Sequence, residues 1–257
     1  LSHKHVQLII ENHKIAITVY VNKIIVFTNR FHLQPYKELS VNQWVANGIN
    51  TFVVNIAINP KFFEELKEQS LDMYINLLEG TYPDLSKIIL KENHWKYSED
   101  TQFPVNITSE VKIDLPYGNW SWYDGDDLSD ENFDLLTLRN FLTSIHTALN
   151  NKDYEMLSPH LQTKASELAA AYGIPLNERL SDQKDFFENE LFNTVGWGVL
   201  PMELDELVFR YHAGGRLIEV LNRKGKSPIQ SLPMEDNVHF SIPLFLCHKN
   251  NQWILCR

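Results

Sequence analysis

Val238-His239-Phe240-Ser241-Ile242-Pro243-Leu244-Phe245-Leu246-Cys247 is a long apolar run, His248-Lys249-Asn250-Asn251-Gln252 is polar, and Trp253-Ile254-Leu255-Cys256-Arg257 is apolar again. Two apolar runs of strand length around a short Asn-rich stretch predict a β-hairpin with both arms buried. A chain that stops on a buried strand is expected to close its sheet there. Cys247 and Cys256 fit no metal spacing and are expected to be small buried hydrophobes. A disulfide across the hairpin is the alternative, if the turn centres on Asn251-Gln252.

Working back from the hairpin, strands are predicted at Glu206–His212, Arg216–Asn222 and Pro228–Leu232, with Gly214-Gly215 turning the chain between the first two. Helices precede them. Leu135, Leu138, Leu142, Ile145 and Leu149 fall at helical spacing over Leu135–Asn150. A second helix is predicted over Asp153–Tyr172, ended by Gly173. A third runs over Ser181–Phe192, with Ser181 as its cap and Lys184 where a full capping box needs an acid. Helices followed by an antiparallel sheet make an α+β layout.

Within that layout, Ala148-Leu149-Asn150-Asn151-Lys152-Asp153-Tyr154-Glu155-Met156-Leu157 resembles the A-L-x-x-x-D-x-x-x-L opening of NTF2-like (cystatin-like α+β cone) domains. Pro243-Leu244-Phe245-Leu246 followed by Asn251-Gln252-Trp253-Ile254-Leu255 resembles their last two strands. The resemblance spans residues 133–257 in outline. It implies a curved sheet with helices over it and, in some members, a pocket between them where an Asp–His pair or a lone Asp does acid–base work. The lining would then include Trp197, Arg210, Tyr211, His212 and His239, with His146 as a further candidate. No carboxylate has a sequence reason to pair with these histidines, so each is expected to be a satisfied, partly buried side chain, and no catalytic residue is assigned.

The N-terminal half reads differently. Val6–Ile10, Ile15–Val21 and Ile24–Phe27 are β-branched runs divided by short polar turns, which predicts a meander. Further strands are expected at Thr51–Ile58, Leu71–Leu78, Lys87–Tyr97 and Glu110–Leu115, so the half is read as an all-β sandwich. Trp44 on a short helical turn, then Asn47-Gly48-Ile49-Asn50-Thr51-Phe52, resembles the W…G-x-N-x-hydrophobic corner of jelly-roll domains of the kind found beside glycoside hydrolase barrels. In those domains the corner is structural, so it implies fold and not sugar binding.

Between the halves, the aromatic cluster Tyr117-Gly118-Asn119-Trp120-Ser121-Trp122-Tyr123 passes into Asp124-Gly125-Asp126-Asp127-Leu128-Ser129-Asp130-Glu131. The expected division is a β-sandwich domain at 1–123, an acidic linker at 124–132 and an NTF2-like domain at 133–257. Ser129 is expected to cap the first helix, with Asp130 and Glu131 at its dipole-favoured end. The linker lacks the EF-hand order of ligands and is read as solvated, with no metal. Trp120, Trp122 and Tyr123 are surface candidates for sugar or protein contact, against packing where the halves join.

A formal charge of −10 and scattered basic residues argue against nucleic acid, whose phosphates need a basic stripe. Arg223-Lys224-Gly225-Lys226 is read as a hairpin turn. No apolar run approaches the roughly 18 residues of a membrane span. Nucleotide, zinc-protease and serine-hydrolase motifs are absent, and no cofactor is expected. The sequence opens Leu1-Ser2-His3 without an initiator Met and is read as a processed or trimmed form. The compartment is left open between bacterial cytoplasm and periplasm. The function expected is a non-catalytic two-domain binding protein whose partner is another protein, in a bacterial accessory or immunity-type role. The alternatives are a ligand-binding or enzymatic pocket in the C-terminal domain, and carbohydrate binding by the N-terminal one.

Overall fold

The computed structural model describes residues 3–12, 15–29, 36–57, 72–82, 87–116, 120–129, 133–234 and 239–257. The chain divides into two compact units, Leu1–Asn119 and Trp120–Arg257. Among the described residues there are twelve strands in three antiparallel sheets, eight of them in the first unit. The whole is a mixed α+β protein with a strand-rich N-terminal half.

In the first unit the strands are β1 (His3–Asn12), β2 (Ala16–Val21), β3 (Ile24–Asn29), β4 (Tyr36–Ser40), β5 (Gly48–Ala57), β6 (Asp72–Tyr82), β7 (Lys87–Lys96) and β8 (Val105–Ile113). They form sheets in the orders β4-β1-β6-β7 and β3-β2-β5-β8. The expected meander is therefore corrected. β1 pairs with β4 and β6, while β2 pairs with β3 and β5. Val6, Leu8 and Ile10 of β1 share one buried cluster with Ile17, Val19 and Val21 of β2. Two strands each bury one face in a common core from different sheets, so the chain crosses over instead of forming a hairpin.

The Trp44 corner is held by one buried side chain. Asn50 Oδ1 accepts from the Ala46 N–H at 2.7 Å, and its Nδ2 donates to the Ala46 and Gly48 carbonyls at 2.8 and 3.0 Å. Asn22 Nδ2 donates to Asn50 Oδ1 at 2.8 Å and to the Trp44 carbonyl at 2.9 Å. Gly48 takes φ +104°, a value that L side chains rarely adopt.

The second unit has α1 (Leu135–Asn150), α2 (Tyr154–Tyr172) and α3 (Leu176–Asp185), then a π-helical turn over Phe186–Leu191. Its strands β9 (Val208–His212), β10 (Leu217–Leu221), β11 (Phe245–Lys249) and β12 (Gln252–Leu255) form a sheet in the order β12-β11-β10-β9. Asp134 caps α1, accepting the Leu136 N–H at 2.8 Å, so Ser129 is not the cap. Asp130 and Glu131 lie outside the described residues. Leu135 is 44% exposed as the first helical residue, and the stripe begins at Leu138. Asp153 caps α2, and Gly173 ends it at φ +66°. The third helix starts at Leu176, five residues before Ser181, because Pro175 supplies a pre-set φ at its entry. Pro228–Leu232 forms isolated bridges through Gln230 and Ser231 in place of a strand.

The closing hairpin turns on Asn250-Asn251, at φ +53° and +64°, which fits the paired positive φ of a two-residue hairpin loop. Cys247 therefore stands opposite Ile254, and Cys256 lies one step further along the same face. Both are buried free thiols with Sγ atoms 3.0 Å apart. Val238 lies outside the described residues, and His239 is exposed, so the buried arm begins later than expected.

Candidate functional site

The space between the helices and the sheet of the second unit is filled. Leu138, Leu142, Ile145 and Leu149 of α1 share one buried cluster with Ile218, Val220, Leu246, Trp253 and Leu255 from the sheet. The expected pocket lining does not converge there. Trp197 packs on Phe192 and Phe240, with ring centroids 5.7 Å away in each case. Tyr211 is one of the partly buried rings against the same cluster. Arg210 Nη1 donates to Glu219 Oε2 at 2.7 Å on the sheet surface. His146 Nε2 donates to the Leu200 carbonyl at 2.9 Å, a satisfied histidine.

Sequence reasoning missed the partner of His212. Its Nε2 lies 3.2 Å from Glu219 Oε2, and the ring is 2% exposed. Burial opposes ionisation of Glu219, but the His212 hydrogen bond and the Arg210 charge outweigh it and hold the carboxyl below its usual range. His212 also packs on Phe245, at 5.5 Å between centroids. This is a paired histidine and carboxylate set into the sheet.

The aromatic surface candidates are corrected. Trp120 and Trp122 are each 2% exposed, and Tyr123 is half-buried, so they present no platform. The Arg257 guanidinium lies 5.4 Å from the centre of the Trp120 ring. Arg257 is 5% exposed and donates to Glu167 Oε2 at 2.7 Å. Glu167 Oε1 also accepts from the Ser121 N–H and hydroxyl, each at 2.6 Å.

The acidic segment is not a free linker. Lys249 Nζ reaches Asp124 at 2.8 and 2.9 Å, and His248 Nδ1 lies 2.7 Å from Asp126 Oδ2. The Asp126 and Leu128 N–H groups donate to the carbonyls of His248 and Gly215. Residues Asp124–Ser129 thus lie along the sheet of the second unit, with their charge matched locally.

One concavity of this unit lies to one side, between α2, α3 and Phe240–Pro243. It has a volume of about 400 Å³, within the range of small-ligand sites. Phe186, Phe187, Phe240, Leu161 and Ile242 make an apolar wall, and Lys164, Arg179, Asp182 and Gln183 supply the polar groups. The π turn sets the two phenylalanines. The Phe192 N–H donates five residues back to the Phe187 carbonyl, widening the helix where Phe186 and Phe187 meet the cavity.

No family model, curated protein or solved structure matches this chain. The cavity's chemistry has to be read from its own residues. Lys164 is mostly buried and makes no ion pair or hydrogen bond among the described residues. Burial, then the charges of Arg257 and Arg179, push its ammonium down to about 8. Arg179 Nε is buried without a hydrogen-bond partner. Asp182 stands exposed on the same wall. A largely buried cation with no counter-charge among the described residues is costly, and Lys164 with the part-buried Arg179 on one wall is suited to an anion brought in from outside.

One signal for this site was legible. Leu157 and Leu161 face the core, and Lys164 falls seven and three residues further along the same stripe of α2. A lysine on the apolar face of an amphipathic helix asks for a partner. Arg179 carried no such signal, because α3 has no buried stripe.

Proposed function

We propose that the second unit binds a small organic anion with an apolar body, such as an aryl or short-chain carboxylate, in the cavity between α2 and α3. The observation that carries this is a pair of cations, Lys164 and Arg179, on the wall of a cavity whose lining is otherwise mostly apolar, with Asp182, Gln183 and Ser241 as its other polar groups. The apolar wall would take the body of the ligand. The two cations would take its charged end, since neither makes an ion pair among the described residues. Titration calorimetry with 4-phenylbutyrate and its neutral amide tests it. The carboxylate should bind at least tenfold tighter than the amide, and Arg179→Met should remove that preference. Equal affinity for the two, or none for either, overturns it.

The layout supports the architectural reading as well. Three helices followed by a four-stranded antiparallel sheet support an NTF2-like second domain. Two sheets over one core support a jelly-roll or β-sandwich first domain. In this reading the ligand cavity lies beside the cone and not inside it.

A protein partner for the first unit is a second reading, favoured by Ile88 and Ile89. They are 65% and 57% exposed, and they lie together on β7, at the end of its sheet. Exposed apolar side chains on an edge strand offer a template for pairing with another chain, although β7 also carries Lys91 and Glu92. A second copy of this chain is the first partner to test. Sedimentation of the wild type should then show a dimer that Ile88→Lys with Ile89→Lys dissociates, and a wild-type monomer overturns it.

A further inference from the structure

The geometry points to Lys164 as a carbonyl-reactive amine, which would form an imine with a small oxo acid, an aldehyde or ketone that also carries an anionic group. This inference rests on the anion-binding reading of the same cavity and adds a covalent step to it.

Three features of the cavity meet the requirements of that chemistry. The amine must be free, and Lys164 has no ion pair or hydrogen bond among the described residues. It must be reachable, and Lys164 lines a cavity of about 400 Å³. A separate cation must hold the anionic end of the substrate, and Arg179 lies on the same wall. Among the described residues, the charged groups around Lys164 are Arg179 from α3, Arg257 from the end of the chain, Asp182 from α3 and Glu167 one turn along α2. Glu167 is engaged by Arg257 and Ser121, so it does not neutralise the lysine.

Desolvation and neighbouring cations are the two ways in which proteins make a lysine nucleophilic, and both act here. With its ammonium lowered to about 8, about a fifth of the Lys164 amine is neutral at pH 7.4, against about a thousandth for an ordinary lysine. In the step itself, the Nζ lone pair forms a C–N bond to the carbonyl carbon, and the C=O π pair moves onto oxygen, which takes up a proton. Loss of that oxygen as water leaves the protonated imine. One neutral amine, one carbonyl and one proton give one protonated imine and one water, the second hydrogen of the water coming from Nζ, with no oxidant or reductant. Asp182 is a carboxylate on that wall, and in this proposal it carries the proton.

The probe is 4-carboxybenzaldehyde, with cyanoborohydride to trap the imine and peptide mass mapping to locate it in the full chain. The label should appear on Lys164 at least tenfold faster at pH 7.4 than on Lys224 and Lys226, which lie on an exposed turn. Its rate should reach half its plateau near pH 8, whereas those two continue to rise above it. Lys164→Arg should lose the label. Labelling in proportion to exposure, or an unlabelled Lys164 in protein that binds 4-phenylbutyrate, overturns the reactive amine alone. Absence of both binding and label overturns the anion site as well. Fast labelling of Lys164 without 4-phenylbutyrate binding overturns the anion reading and with it the oxo-acid substrate.

Discussion

Gly215 sits at φ +93°, and a Cβ built there would stand 2.3 Å from Asp127 Oδ1 and 2.9 Å from Ser129 Cβ. Both the backbone and the space demand glycine. Asp127 is fixed in its turn, because Oδ1 accepts the Ser129 hydroxyl at 2.6 Å and its N–H at 2.9 Å. Those bonds hold its carboxyl below the usual range, with the hydroxyl contributing most. Gly215→Ala should therefore lower stability by about 3 kcal/mol, from strained φ and overpacking together. Urea unfolding would measure it. Gly48 also has positive φ but open space around it, so Gly48→Ala should cost only the backbone part, about 1 kcal/mol.

The pairing of β9 with β10 brings three side chains together. Arg210 stands opposite Glu219, and His212 reaches the same carboxylate from one pleat away. Glu219 ionises more readily in the folded chain than in the unfolded one. Its pairing therefore stabilises the fold above the unfolded carboxylate range, and this contribution is lost as the pH falls through the lower folded value. Glu219→Gln should cost about 1 kcal/mol at pH 7 and flatten the acid limb of a stability–pH curve. A variant curve parallel to the wild type below pH 5 would contradict it.

The same elements show what a sequence can carry. The closing hairpin, α1 and the Gly173 stop were legible, because strict periodicity and positive-φ residues leave a local trace. β4 was not, because Tyr36-Lys37-Glu38-Leu39-Ser40 has no β-branched residue and becomes a strand only by pairing with β1. The meander failed for a related reason. Alternation tells which face of a strand is buried and not which neighbour covers it. At the cavity, Lys164 left a trace on the stripe of α2, while Phe186, Phe187 and Arg179 converge through a π turn that no periodicity announces. Glu219 was hidden because its partners come from a neighbouring strand.

At the scale of the molecule, the cavity works against stability. The folded chain holds the Lys164 ammonium at about 8, while the unfolded chain keeps it near 10.5. Between those values the unfolded state binds more protons, so stability rises with pH across that window. Lys164→Met should stabilise the chain by about 1–2 kcal/mol at pH 7 and abolish preference for the carboxylate. Thermal unfolding and calorimetry on one preparation would read both. A destabilised variant would mean that Lys164 serves the fold and not a ligand.

The acidic strap has a practical consequence for dissection. Cutting the chain at Phe133, as its composition invites, discards Trp120, Trp122 and Leu128, all buried, along with the Ser121 donors to Glu167 and the Asp124 partner of Lys249. Cutting before Trp120 keeps them. A fragment of residues 120–257 should be monodisperse and melt in a single cooperative step, and one of residues 133–257 should aggregate or melt broadly. The autonomous unit thus begins ahead of what reads as its tether: a stretch of carboxylates is not necessarily a place to use scissors.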